Sequence, residues 1–125
     1  MVRFNQFDAG ADITALTTTG GMQMVKIASD GDIEEVTTSD GNIVLGVLYQ
    51  DVEDGDKGIT VLGPGEIVKL RSASTSVLAG SRVKLDGSDA EEITVIADAD
   101  NPAKVIGIAL EKTSAINDVI DVLLI

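Results

Sequence analysis

The residues of this chain that could do chemistry are carboxylates. Three short stretches, Asp30-Gly31-Asp32-Ile33-Glu34, Asp51-Val52-Glu53-Asp54-Gly55-Asp56 and Asp98-Ala99-Asp100-Asn101, each place several oxygens within a few positions. Oxygen donors at that density suit a hard cation such as Ca2+. None of the three has the twelve-residue calcium loop, with Gly sixth and Glu twelfth, so they read as solvated turns and no metal site is assigned. Paired carboxylates can also serve as acid and base, but nothing in the sequence buries one or sets it beside a base. The chain has no His and no Cys, which removes the commonest general base, the commonest metal ligand and the thiolate nucleophile together. A Ser or Thr nucleophile would need a Lys or terminal-amine partner, and no Gly-rich loop opens a helix that could hold phosphate. The sequence reads as that of a protein without catalytic residues, cofactor or metal.

The bases are fewer and more grouped. Lys69, Arg71, Arg82 and Lys84 are four of nine, on the outward phase of two alternating segments, Ile67 to Arg71 and Arg82 to Leu85. If those two strands pair, the four cations share one face and form a basic contact surface on an acidic protein. Internal pairing with nearby Asp and Glu is the competing reading, and surface pairs of that kind contribute little.

The whole chain carries 21 acids against 9 bases, a formal charge of −12. That balance excludes nucleic acid and an anionic membrane surface as partners, since both need clustered cations. Met1-Val2-Arg3-Phe4-Asn5-Gln6 lacks the apolar core of a signal peptide, and no apolar run reaches membrane-spanning length. A soluble protein made inside a cell is expected. At 125 residues and 44% hydrophobic content it has enough for one core. Phe4, Phe7 and Tyr49 are the only aromatics, so that core must be Val, Ile, Leu and Ala.

A repeat organises the elements. Val44-Leu45-Gly46-Val47-Leu48, a polar loop, then Gly58-Ile59-Thr60-Val61-Leu62 aligns without a gap on Val105-Ile106-Gly107-Ile108-Ala109, a polar loop, then Val119-Ile120-Asp121-Val122-Leu123. Each unit is two apolar strands with a turn between them, the pattern of a hairpin. Upstream, Val25-Lys26-Ile27 is echoed by Val83-Lys84-Leu85, and Glu34-Glu35-Val36-Thr37 by Glu91-Glu92-Ile93-Thr94. Two related β halves follow, at about residues 22–63 and 80–125 of a single β domain spanning 22–125. Asp30-Gly31, Asp40-Gly41 and Asp86-Gly87 mark turns, and Gly63-Pro64-Gly65-Glu66 fits a type II turn. Thr113 to Asn117 allows one short helical turn. The expected fold is all-β, with at most one or two such turns, in a compact barrel or sandwich at short, regular strand spacing.

Residues 1–21 stand apart. They hold Phe4 and Phe7 and end on Thr17-Thr18-Thr19-Gly20-Gly21, a flexible joint. They read as an extended N-terminal arm whose two rings fill pockets on a neighbour while its backbone adds to a sheet edge.

With these pieces in order, the chain resembles the small capsid cement (head decoration) proteins of tailed bacteriophages. The resemblance lies in Ile43-Val44-Leu45-Gly46-Val47-Leu48, in Val77-Leu78-Ala79-Gly80-Ser81-Arg82-Val83, and in Val105 to Leu110 with Val119 to Ile125. It implies a structural protein on the capsid exterior of a virion, made in the host cytoplasm. It also implies the major capsid protein as partner and a homo-oligomer, with trimers favoured. The contact residues expected from the sequence are Phe4, Phe7, Lys69, Arg71, Arg82 and Lys84. The alternative is a Ca2+- or glycan-binding β module of the virion surface, and the lack of aromatics to stack on sugars weighs against its glycan version.

Overall fold

The computed structural model describes residues 3–15, 21–36, 44–73, 77–86, 92–97 and 100–125, with residues 3–6 described by their backbone alone. The fold is all-β. Strands β1 (Arg3–Phe7), β2 (Met24–Ile27), β3 (Ile33–Glu35), β4 (Gly46–Leu48) and β5 (Ile59–Leu62) form one sheet in the order β1-β5-β4-β2-β3. Strands β6 (Ile67–Ser72), β7 (Arg82–Leu85), β8 (Glu92–Val95), β9 (Val105–Ala109) and β10 (Val119–Leu124) close a barrel in the order β10-β6-β8-β7-β9. Cut between β6 and β8, the second order reads β6-β10-β9-β7-β8, which is the first order strand for strand.

The correspondence extends to register. Val47 pairs with Leu62 and Leu48 with Val61, as Ile108 pairs with Leu123 and Ala109 with Val122. Val25 pairs with Gly46, as Val83 pairs with Gly107. Phe4 faces Val61 across β1 and β5, as Val68 faces Val122 across β6 and β10. The barrel closes through the parallel pairs Arg71–Glu92 and Ser72–Ile93. The first sheet makes a lighter version of the same closure, a parallel bridge between Ala9 and Ile33. Ile13 and Val52 exchange two backbone hydrogen bonds of 2.9 Å. Their counterparts Val77 and Thr113 keep one at 2.9 Å, while the Thr113 hydroxyl accepts the Val77 N–H at 3.2 Å in place of a carbonyl.

Two differences from the sequence reading follow. Residues 3–7 lie in the sheet of their own chain, and Ala9, Ile13 and Ala15 are each 2% exposed. What reads as an arm is therefore the first strand and first loop of the N-terminal half, the counterpart of β6. Its short apolar content hides this, because β1 relies on β5 for its pairing. The second concerns register. The acidic echo of Glu34-Glu35-Val36 in Glu91-Glu92-Ile93 is three residues out, since Ile33 and Ile93 hold the equivalent buried positions, opposite Ile27 and Leu85. The Asp40-Gly41 turn, most of the Thr17–Gly21 joint and the Phe4 side chain lie outside what is described.

The Gly63–Glu66 turn forms as expected, with Gly65 at φ 91° and the Glu66 N–H donating to the Gly63 carbonyl at 3.1 Å. The short helical turn, however, is a 3-10 turn at Pro102–Lys104, where Asn101 caps the Ala103 N–H at 3.0 Å and proline presets φ. Residues 113–117 are instead a bend gathered by Asp118.

Buried side chains fall into two clusters. One, made of Ala9, Ile13, Ala15, Val25, Ile33, Leu48, Val52, Ile59 and Val61, fills the inside of the first half. The other fills the second barrel with residues such as Val68, Leu70, Val83, Ile93, Ile120 and Val122, and it also takes in Met24, Val47 and Leu62. Those three lie on the outer face of the first sheet, so β4 is covered on both sides, as its unbroken apolar run requires.

Candidate interaction surface

The four cations sit on outward positions, as alternation demands, but they do not form one patch. β6 and β7 do not pair; β8 lies between them. Lys69 reaches Asp121 at 2.8 Å on the neighbouring β10. Arg71 meets Glu92 across the parallel closure, with both side chains largely buried. Lys84 reaches Asp100 at 2.8 Å. Three of the four are thus engaged inside the chain. Arg82 is exposed at the mouth of a shallow depression lined by Ile96, Ala97, Asp100 and Pro102. Phe7 is half-buried and packs on the core of the first half.

The carboxylates hold turns together. Asp51 accepts the Ala15 N–H at 2.8 Å and Asp12 the Asp54 N–H at 2.8 Å, which ties the segment after β1 to the loop between β4 and β5. Asp56 accepts the Glu53 N–H at 2.8 Å. In the corresponding turn of the second half, Asp118 accepts the N–H groups of Ser114 and Ala115, at 2.7 and 2.9 Å, and the Ser114 hydroxyl at 3.0 Å. Those bonds, the Ser114 N–H first, hold the Asp118 carboxyl below the usual range. Asp100 is lowered too, chiefly by Lys84 and then by the Ala97 N–H. Lys69 is raised by its bond to Asp121. Of the acidic stretches, Asp30 accepts the Asp32 N–H at 3.0 Å and Glu34 pairs with Lys26 at 3.4 Å. Asp98 and Ala99 lie outside what is described. Among the described residues no three acids converge as a cation site would need.

What the sequence reading passed over is apolar. Tyr49 and Leu110 are counterparts, each 43% exposed, and Leu78 and Ile116 stand out at 63% and 60%. On the outer face of the second barrel, Ile67, Leu123, Ile108 and Arg82 face one another in direct register across β6, β10, β9 and β7. The signal was present in β6 and β10, whose two phases both carry large apolar residues, Ile67 beside Val68 and Leu123 beside Val122.

No protein-family model and no curated protein sequence matches the chain.

Proposed function

We propose that this chain is a structural protein of a phage virion that binds the outside of an assembled capsid and stabilises it by bridging neighbouring capsid subunits. The observation that carries the reading is the division of labour among its side chains. Carboxylates and most of the grouped cations are spent on turns and internal pairs, while Tyr49, Leu78, Leu110 and Ile116 stand in solvent at the loops. Such a surface suits protein–protein contact, where apolar and aromatic anchors supply most of the energy. The sequence resemblance to cement proteins points the same way. A bridging protein makes the separation of two capsid subunits break its own contacts as well as theirs. Many weak copies add up, and linked copies gain through effective concentration.

Purified heads with and without the protein test this. Decorated heads should keep their DNA to higher temperature and through osmotic shock that empties bare ones. Equal survival, or no binding to heads, removes the reading.

A further inference from the structure

The depression beside Arg82 lies where the two halves of the fold part company. Met24 and Arg82 hold equivalent positions, opposite Val47 and Ile108. Each carbonyl accepts the N–H of an equivalent residue, Val36 on Met24 at 3.2 Å and Ile96 on Arg82 at 3.0 Å. In the first half that pair is apolar and covered: Met24 and Val36 are 0% and 5% exposed and merge with the core of the second barrel. In the second half a cation stands in place of the methionine. Arg82 is exposed and Ile96 half-buried, and with Ala97, Asp100 and Pro102 they line a depression of about 180 Å³.

The groups around it are unequally occupied. Asp100 is already engaged, since its Oδ2 accepts the Ala97 N–H at 2.7 Å and Lys84 at 2.8 Å, and Lys104 acts on it as well. Among the described residues no acid engages Arg82, although the chain has 21 acids and 9 bases. The far wall is preset. The Asp100 N–H donates to the Ala97 carbonyl at 3.0 Å, and Asn101 caps the 3-10 turn that begins at Pro102.

We propose that this depression binds one acidic side chain, Glu or Asp, presented by an exposed segment of a protein partner. The Arg82 guanidinium takes the carboxylate through two parallel hydrogen bonds, and Ile96 and Pro102 receive its aliphatic stem. Size argues against a larger ligand, because small-molecule sites run at about 300–1,000 Å³. Charge argues against a phosphate. The Asp100 carboxylate lines the same depression, and the Ala97 N–H that could help hold a second negative charge is taken. On so acidic a chain most of the surface repels a carboxylate, and Arg82 marks a place that attracts one. The proposal specifies a side-chain chemistry and does not rest on the capsid reading.

The test is a nuclear magnetic resonance titration of the full, 15N-labelled chain with the blocked tripeptide acetyl-Ala-Glu-Ala-amide. The Arg82 Nε–H and the Ile96 and Ala97 amides should shift and saturate, with a dissociation constant on the order of 1 mM. The Gln tripeptide, which lacks the charge, should bind at least ~10-fold more weakly. Arg82→Gln should abolish the shifts while circular dichroism and melting point stay as in wild type. Should Arg82→Gln fail to fold, Arg82→Lys keeps the charge but loses the planar fork, and should weaken binding about tenfold. Lys57→Gln, in the first half, should change nothing. Shifts that do not saturate, a Gln peptide that binds equally well, or folded Arg82 variants that bind as wild type does overturn the proposal. Inorganic phosphate that displaces the peptide at lower concentration overturns it too, by making the site one for phosphate.

Discussion

Gly46 and Gly107 meet the same obstacle one repeat apart. A Cβ on Gly46 would press on the Leu62 carbonyl oxygen and lie 2.7 Å from Val61 Cγ1. On Gly107 it would lie 2.5 Å from the Leu123 oxygen and 2.7 Å from Val122 Cγ1. Neither glycine has the positive φ that would by itself call for one. Both are required by the close approach of a neighbouring strand, and the same atoms of the same repeat positions make that approach.

Alanine at either position should therefore destabilise by similar amounts, about 3 kcal/mol, because backbone rather than a movable side-chain tip blocks the methyl. Gly55 offers the contrast. It has φ 88° with nothing near its missing Cβ, and Asn117, in the corresponding turn of the second half, holds φ 69°. Gly55→Ala should cost about 1 kcal/mol through backbone strain, and Gly55→Asn less. Urea unfolding of the four variants ranks them.

The closure of the second barrel rests on one short parallel contact, and the Arg71–Glu92 pair lies across it with side chains 12% and 15% exposed. Glu92→Ala removes one partner of a largely buried pair and should cost about 3 kcal/mol. Replacing both with apolar residues of similar volume should cost much less. Chemical denaturation of the single and double variants tells the two outcomes apart.

Acid should unfold the protein partly through Asp118 and Asp100. Both are held below their unfolded value of 3.8, so their contribution is present above that value and lost as pH falls through the folded pKa. Asp118→Asn should flatten the decline in stability below about pH 4. Lys69 behaves oppositely: raised above 10.5, it contributes below that value and loses its effect as pH rises through the folded pKa. The urea midpoint followed from pH 2 upward, at low and high salt, checks both signs.

Removing residues 2–16 should unfold the first half, because Ala9, Ile13 and Ala15 belong to its core. A milder probe is Ile13→Ala, expected to cost about 3 kcal/mol. Thermal melting of both forms decides whether this segment is part of the fold or separable from it.

The strand pairs around Gly46 and Gly107 were legible in sequence because buried contacts constrain both residue type and spacing there. The counterpart of β6 was not, for two physical reasons. Phe4 and Val68 share a position without resembling each other, and a bulge between Phe4 and Phe7 shifts β1 against β5. The loop from Ile13 to Met24 is also six residues longer than that from Val77 to Arg82, which breaks any gapless match. Glu34-Glu35 misled for the opposite reason. Acids on a solvated face recur freely, and only Ile33 fixes the register. Alternation correctly gave the outward phase of Lys69, Arg71, Arg82 and Lys84. It could not show that β8, later in the chain, would insert between β6 and β7, since long-range pairing leaves no local trace.

The position of β10 has a consequence for synthesis. The first half holds all five of its strands once Leu62 has been made, whereas the second cannot close until β10 arrives to pair with both β6 and β9. At bacterial-to-eukaryotic elongation rates the intervening sixty or so residues take about 3–12 s. For that interval Met24, Val47 and Leu62 lack the closed barrel whose core they join, so the nascent chain displays apolar surface that the finished fold hides. Hydrophobic-dye binding by chains stalled shortly after Leu62 and after Ile125 would register it. Ribosomes following one another on a message thus hold several such faces close together before any one chain can cover its own.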